Sequence, residues 1–219
     1  MRFGINLYTL GVETFQLVDS RALHAEAVQY ARWQDKPDLV TAMVDDHFSR
    51  CAPGKKTPFA KSVDCRGFEK DEYLRNGHCG LHADHIRAKF NHSDFDGWME
   101  HYAKTMRECI RLVEAEVGRL GPEEGAKLKR RRKHASIYMF CKSGRDRSVA
   151  LSRAMSYLWT TLQPTEHFYF DCQSSNVEHL CRAHWRHGQM RCVHQGCSEC
   201  FGSLPLTTKD LIRSRCKIS

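Results

Sequence analysis

The sequence predicts an α/β fold: a mostly parallel sheet with flanking helices, an N-terminal helical extension and a small Cys/His-rich C-terminal module. Strand-like and helix-like segments alternate between residues 62 and 172. A turn-rich stretch, residues 52–58, separates them from the chain before it. From His179 onward the composition shifts towards cysteine and histidine. The predicted units are therefore residues 1–58, 59–176 and 177–219.

Composition and charge restrict the class of protein. The chain has 219 residues, 41% of them hydrophobic and 27% charged, which is ordinary for a globular protein. No apolar run could span a bilayer, and Met1 to Gly4 opens no signal-peptide pattern. Eleven cysteines without a secretion signal indicate a reducing compartment, cytoplasmic or nuclear. The net charge of +8 suits an acidic partner such as nucleic acid or a phosphorylated ligand.

Two helices are predicted in the N-terminal segment. Ser20 can cap a helix from Arg21 to Gln34, and Pro37 can open a second that runs to Phe48. Ser62 to Phe68 follows as a strand that runs into a loop. That loop, residues 69–92, is rich in histidine.

The histidines of this loop have two interpretations. Four of them fall within fifteen residues: His78, His82, His85 and His92. The spacing from His78 to His85 fits no compact ligand pair on a helix turn. Surface or phosphate-contacting histidines are therefore favoured over a metal site.

The clearest helix begins after Ser93, and Gly118 and Gly121-Pro122 are predicted to end it. Its apolar residues recur at steps of three and four along a single stripe: Phe95, Trp98, Met99, Tyr102, Met106, Cys109, Ile110, Val113 and Val117. The basic run Lys127 to His134 comes next, immediately ahead of a strand. A strand of about six residues would place this run roughly 20 Å from the strand's other end. It can contact RNA or act as a nuclear localisation signal, and a solvated loop is the default interpretation.

The stretch from Ile137 to Ser148 predicts a strand, a tight loop and a helix that continues to Trp159. Such a turn aims loop amides and the positive helix end at one point, which is a site for anions. Cys141 and Arg147 form a C-x5-R pattern around Gly144, followed by Ser148. The thiol can become a thiolate, and the guanidinium can hold two phosphate oxygens. The alternative is a buried cysteine ending a core strand before a solvated turn.

An aromatic strand, residues 167–171, completes the predicted sheet. The order strand, helix, strand, helix, strand favours parallel strands joined by right-handed crossovers. Ligands bind beyond the carboxyl ends of such strands. The strand ends at Asp64 and Cys141 are therefore expected to line one pocket.

The C-terminal end predicts a small zinc module. Cysteine and histidine are concentrated in 22 residues: His179, Cys181, His184, His187, Cys192, His194, Cys197 and Cys200. They include two knuckle-like pairs twelve residues apart, Cys181 with His184 and Cys197 with Cys200. This spacing suits a tetrahedral structural zinc ion. Cys192 and His194 are rival ligands, and the alternative is a set of free thiols and surface histidines.

Several of these motifs resemble the C-terminal domain of the RNase adapter protein RapZ. That family pairs a D-x-R-F strand end with a G-x-x-G-L loop and a C-T-G-G-x-H-R-S loop. The matching segments here lie within residues 62–172, about half the chain: Val63 to Phe68, Gly77 to Leu81, a long apolar helix, and Ile137 to Val149. Proteins of that kind bind a phosphosugar and regulatory RNA. The resemblance implies a phosphate pocket built by Asp64, Arg66, Cys141, Gly144, Arg147 and Ser148.

The chain departs from the RapZ pattern within the last of these loops. Lys142 and Ser143 stand where the family has T-G, and Asp146 replaces a histidine. The Lys142 ammonium can add a phosphate contact, whereas Asp146 would repel an anion unless it points away or pairs with Arg145. The whole loop, residues 141–148, is the predicted ligand-binding segment for a phosphorylated metabolite, nucleotide or RNA.

The loop also resembles that of protein tyrosine and dual-specificity phosphatases, which share C-x5-R-S. In that mechanism Cys141 would attack phosphorus, Arg147 would hold the equatorial oxygens and Ser148 would help the thiolate leave. A general acid must protonate the leaving oxygen, and the candidates are Asp64 and Asp171. Phe140 stands where those phosphatases have a histidine. The leading hypothesis is therefore a phosphate-binding domain, the alternative a cysteine-dependent phosphatase, and the third a structural or interaction protein.

Overall fold

The computed structural model describes residues 2–11, 41–42, 60–68, 78–119, 133–141, 144, 146–161, 169–176 and 197–216. These residues form a parallel sheet of four strands with helices packed against it. The α/β class and the parallel sheet predicted from the sequence are confirmed. No helix within these ranges has both the length and the apolar character needed to cross a membrane.

The four strands have the spatial order β2-β3-β1-β4, and each neighbouring pair is parallel. They are β1 (Arg2–Gly11), β2 (Ala60–Asp64), β3 (Lys133–Cys141) and β4 (Tyr169–Asn176). Their carboxyl ends therefore lie at one edge of the sheet. Of the predicted basic run, Lys133 and His134 begin β3, which places Lys133 eight residues, or ~26 Å, from Cys141. The separation predicted between this run and the Cys141 loop is confirmed for these two residues.

The strand β1 contradicts part of the helical segment predicted for residues 1–58. It lies inside the sheet and pairs with both β3 and β4, so that Gly11 lies opposite Cys141. Leu7 is fully buried, and Tyr8 stacks on Tyr138 with ring centroids 5.0 Å apart. The period-two alternation of Phe3, Ile5 and Leu7 was the sequence signal for this strand.

The two helices predicted in the N-terminal segment are largely untested. The helix at residues 21–34 lies outside the described residues. Of the helix predicted at residues 37–48, only residues 41–42 are described, and they are helical.

Five helices are described. They are α1 (Ala83–Phe90), α2 (Phe95–Arg119), α3 (Arg147–Thr161), α4 (Ser198–Phe201) and α5 (Leu206–Arg215). The helix α1 lies within the region predicted as a loop. It begins after His82, whose Nδ1 accepts a hydrogen bond from the Asp84 N–H at 3.2 Å and so caps the helix. His82 and His85 are buried, which contradicts the first of the two roles predicted for them, surface or phosphate-contacting histidines.

The long helix α2 packs the predicted stripe into the core. Phe95, Trp98, Tyr102, Met106 and Cys109 are all at most 2% exposed, whereas Met99 and Ile110 are only partly buried. The Trp98 indole donates a hydrogen bond to the Asp64 carbonyl at 3.0 Å, which ties the helix to the end of β2. The helix continues to Arg119, so Gly118 lies within its last turn, while the other predicted end signal, Gly121-Pro122, lies outside the described residues.

The described part of the C-terminal segment packs against the α/β core. Leu204, Ile212 and Cys216 belong to the same apolar cluster as the strand residues. The Arg87 guanidinium of α1 donates to the Thr208 hydroxyl of α5 at 3.1 Å. Residues 197–216 are therefore continuous with the core, and do not stand apart as the separate module predicted for residues 177–219.

The buried thiol of Cys216 predicts a loss of stability in alkali. Burial raises the pKa of Cys216 from 9.0 to about 12, and the nearby Arg215 acts in the opposite direction. As pH rises, the Cys216 thiol ionises at a lower pH in the unfolded chain than in the folded protein. The free energy of unfolding therefore falls between about pH 9 and pH 12, and this loss is absent below about pH 9. The loss is up to about 4 kcal/mol.

Urea unfolding of Cys216→Ala and wild type between pH 8 and pH 11 would measure this contribution. The variant's free energy of unfolding should fall less with pH than that of the wild type, because the other titrating groups are shared. Parallel curves would contradict the prediction.

Candidate oxyanion site and metal cluster

The predicted turn lies at the carboxyl edge of the sheet. The strand β3 ends at Cys141 and the helix α3 begins at Arg147, so five residues join them. Gly144 has a φ of 69°, a left-handed conformation that glycine adopts without steric cost. The Asp146 carbonyl accepts the first helical hydrogen bond, from the Ala150 N–H at 2.8 Å, which makes Asp146 the N-cap residue. The predicted strand and the predicted helix on either side of this turn are confirmed.

The thiol of Cys141 lies beneath this turn. Its Sγ accepts a hydrogen bond from the Gly144 N–H at 3.2 Å and lies 3.3 Å from the Ser148 hydroxyl oxygen. Both Cys141 and Ser148 are buried. The Gly144 backbone therefore lies against the sulfur. Of the other predicted ligand residues, Lys142, Ser143 and Arg145 lie outside the described residues.

The guanidinium of Arg147 points into the protein. Its Nη1 donates to the carbonyl oxygens of Arg66 and Phe68 at 2.6 and 2.9 Å. The side chain is 8% exposed. Among the described residues, Nε and Nη2 have no hydrogen-bond partner. Two donors therefore remain for a ligand, while the third nitrogen holds the side chain in place.

Asp64 and Arg66 form a buried ion pair. The Arg66 Nε lies 2.9 Å and its Nη2 2.6 Å from the Asp64 Oδ2, and the Arg66 N–H donates to Oδ1 at 2.7 Å. Both residues are at most 5% exposed. The Arg66 guanidinium also lies 5.4 Å from the centre of the Phe140 ring. This pair shapes the turn whose carbonyls receive Arg147, so both residues support the site through its backbone.

Neither predicted general acid is well placed. The Asp64 carboxylate is held by three donors of Arg66. Asp171 lies opposite Gly4, which in turn lies opposite His134. It is therefore seven positions, or ~23 Å, short of the level of Cys141. The structure contradicts the assignment of Asp171 to the pocket, because β4 runs on to Asn176.

A second buried thiol, Cys65, adjoins the site. Asp64 pairs with Phe140, and the Cys65 N–H donates to the Phe140 carbonyl at 2.7 Å, which carries the ladder one position further. Burial raises the pKa of Cys65 well above its usual value, as do Cys141 and Asp64, while Arg147 and Trp98 act in the opposite direction. Cys65 is therefore a neutral thiol at pH 7. In the sequence, only the position of Cys65 after the predicted strand could have indicated that its thiol lies beside this site.

Gly80 brings the histidine loop against the turn. A Cβ added at Gly80 would overlap the Asp146 carbonyl group, because the two backbones are in direct contact. Only glycine, which lacks a Cβ, therefore fits at position 80 without a shift of one of the two backbone segments. The G-x-x-G-L pattern that carried the RapZ resemblance includes this residue.

We expect Gly80→Ala to disturb the turn. The added methyl meets backbone atoms on Asp146, which cannot rotate away, so one of the two segments must shift. The free energy of unfolding should fall by about 1–3 kcal/mol, measured by urea denaturation. Gly202→Ala is not a suitable control, because its Cβ would also overlap a backbone oxygen. Ala103→Gly in α2 is the control, because it measures an ordinary change in the conformational freedom of the backbone. A Gly80→Ala protein as stable as the wild type would contradict the close contact.

A second cluster joins three metal-ligating side chains. The ligand atoms of His78, Cys197 and Cys200 all lie within 4.8 Å of one another. The His78 Nδ1 lies 3.7 Å from the Cys197 Sγ and 3.6 Å from the Cys200 Sγ. These three residues could hold a metal ion. Cys197 and Cys200 were predicted as ligands, whereas His78 was not.

The other two predicted ligands, Cys181 and His184, lie outside the described residues, as do Cys192 and His194. His78 was assigned to surface or phosphate contacts because its spacing to the other loop histidines fits no ligand pair. Its partners are instead 119 and 122 residues away. Only the C-x2-C half of the site was visible in the sequence.

Arg153 of α3 ties both sides of the cluster to the core. Its guanidinium donates to the carbonyls of Leu81, Cys200 and Gly202, the second of these at 3.1 Å. Burial lowers the pKa of Arg153, and the neighbouring Cys200 and Cys79 raise it. Arg153 thus connects α3, which follows the turn at residues 141–146, to the segment that carries the C-x2-C pair.

No protein-family model, curated protein or solved structure matches this chain. The resemblances to RapZ and to the phosphatases therefore rest on the motifs alone. The geometry above is the basis for function.

Proposed function

We propose that the chain is a RapZ-like phosphate-binding domain that recognises a phosphorylated metabolite, nucleotide or RNA through residues 141–148. The observation that carries the proposal is the inward-facing Arg147 guanidinium. Its Nη1 is held by the Arg66 and Phe68 carbonyls, which leaves Nε and Nη2 for an oxyanion. An arginine that served only a solvated turn would not be 8% exposed.

The helix α3 supplies the other half of the proposed site. Its first amides have no helical acceptor, and its N-terminus carries partial positive charge. The turn before it is curled by the left-handed Gly144. In the proposed site, the first amides of α3 and the Arg147 guanidinium would together bind a tetrahedral dianion.

A cysteine-dependent phosphatase is the second candidate. It is favoured by the Cys141 Sγ, which has the Gly144 N–H and the Ser148 hydroxyl as hydrogen-bonding neighbours. In this reaction Sγ would form a bond to phosphorus while the bond to the leaving oxygen breaks, and that oxygen would take a proton. Among the described residues, neither Asp64 nor Asp171 is placed to supply it. Phosphate binding without hydrolysis is therefore the first candidate function.

Zinc is the ion that we propose for the metal cluster. Two thiolates and one imidazole are borderline-soft ligands that suit zinc, which takes four ligands in structural sites. His78, Cys197 and Cys200 would supply three. Cys181 and His184 are the predicted sources of the fourth. Such a site would bind two distant segments of the chain together, as a structural rather than a catalytic centre.

The two functions are separated by one pair of measurements. Calorimetric titration with inorganic phosphate measures binding, and release of p-nitrophenol from p-nitrophenyl phosphate measures turnover. A binding domain should take up phosphate without turnover, and Cys141→Ser should still bind it. A phosphatase should turn over the ester and lose this activity in Cys141→Ser, but keep it in the control Cys216→Ser. Failure of the wild type to bind phosphate would refute both.

A further inference from the structure

We infer that a metal ion bound by His78, Cys197 and Cys200 raises the affinity for phosphate of the turn at residues 141–148, called the oxyanion turn below. The inference rests on the proposed phosphate-binding function and names its regulation. The metal cluster and the turn are separate sites in sequence. In the structure a short chain of contacts joins them.

The first link runs through the histidine loop. His78 is a ligand, and two residues later Gly80 touches the Asp146 backbone. Asp146 is the N-cap of α3 and directly precedes Arg147. A displacement of His78 is therefore transmitted over two residues to the start of the helix that carries the anion ligands. The contact is between backbones, so no side-chain rotation can absorb it.

The second link runs through the C-x2-C segment. Arg153 on α3 donates to the carbonyls of Leu81 and Cys200, which lie on the two segments that the metal would join. The His78 ring lies within hydrogen-bond distance of both thiols, at 3.7 and 3.6 Å, and such sulfur–nitrogen hydrogen bonds are weaker than bonds to a metal ion. With the ion, the three ligand atoms are drawn to one centre and both segments are held against α3. Without the ion, only hydrogen bonds and packing hold the segment around Gly80 against α3.

Any coupling between the binding free energies of two sites is reciprocal. If zinc raises phosphate affinity by some factor, phosphate raises zinc affinity by the same factor. Couplings of this kind are typically about 5- to 150-fold. We expect the phosphate Kd to rise at least about fivefold on loss of the metal.

The experiment uses the full chain with its zinc content measured. Zinc is removed with 1,10-phenanthroline, and the non-chelating isomer 1,7-phenanthroline serves as the control. Two quantities are then compared: the Kd for inorganic phosphate, and the hydrogen-exchange rates of the Gly144 and Ala150 amides. The metal-free protein should bind phosphate more weakly and exchange both amides faster, and added zinc should reverse both changes. Exchange in the middle of α2 should not change, which shows that the fold persists.

A variant pair tests the same link without a chelator. Cys197→Ser should lose zinc and weaken phosphate binding, whereas Ser198→Ala, an exposed neighbour, should do neither. Unchanged phosphate affinity on zinc removal, or a chain that binds no zinc, would overturn the inference while the proposed function stands. Failure of the zinc-loaded chain to bind phosphate would overturn the proposed function and the inference with it.

Discussion

Replacing Asp64 with asparagine is expected to lower the free energy of unfolding by about 3–5 kcal/mol. The substitution leaves the Arg66 guanidinium buried without its counter-charge, since both side chains are nearly inaccessible to water. It also weakens the acceptor of the Arg66 N–H, which shapes the turn below Arg147. Urea denaturation monitored by tryptophan fluorescence would measure the loss, because Trp98 donates to the Asp64 carbonyl.

Asp210→Asn is the matched control for this change. Asp210 pairs with Arg213 at 3.6 Å on the surface of α5, where both side chains are more than half exposed. Surface pairs of this kind contribute about 1 kcal/mol or less. A second control replaces both partners, as Asp64→Leu with Arg66→Met, and should recover part of the stability lost in Asp64→Asn. Equal effects of Asp64→Asn and Asp210→Asn would show that burial of the pair is unimportant.

Replacing Arg147 with methionine is expected to weaken phosphate binding by at least about 100-fold. The estimate assumes two charge-assisted hydrogen bonds of about 1.5–3 kcal/mol each, from Nε and Nη2. The variant should also lose stability, because the Arg66 and Phe68 carbonyls lose their donor. Titration calorimetry with phosphate, at a temperature where the variant is folded by circular dichroism, separates the two effects.

Arg147→Lys and Arg213→Met are the controls. Lysine keeps the charge, but a single ammonium cannot hold both carbonyls and also offer two parallel donors, so its affinity should fall between those of wild type and Arg147→Met. Arg213 stacks on Tyr157 far along the chain from the turn, and its replacement removes one positive charge elsewhere. If Arg147→Met binds phosphate within threefold of the wild type, the guanidinium is not a ligand.

The strand before and the helix after the predicted turn at residues 141–148 could be predicted because their signals are local. Cys141, Gly144, Arg147 and Ser148 lie within eight residues, and the strand before them and the helix after them have their own apolar patterns. The stripe of α2 could be predicted for the same reason, since its periodicity appears in neighbouring turns. In both cases the signal and the structure involve the same short segment.

The partners of Arg147 could not be predicted. They are backbone carbonyls at positions 66 and 68, and every residue type presents a carbonyl, so no sequence pattern marks them. The position of β1 beside β3 was equally hidden, because ladder hydrogen bonds are made by the backbone. His78 was overlooked because its metal-ligating partners lie beyond residue 190.

The sequence alone determined the local units: an apolar strand ending in C-x5-R-S, a long amphipathic helix and a C-x2-C pair. Short-range steric and hydrophobic preferences specify such units within a few turns of chain. Only the tertiary structure decided that the Arg147 guanidinium faces inward, that Asp64 and Arg66 neutralise each other, and that His78 joins Cys197 and Cys200. These outcomes depend on which distant segments pack together, and the free energy of that packing is spread over the whole core.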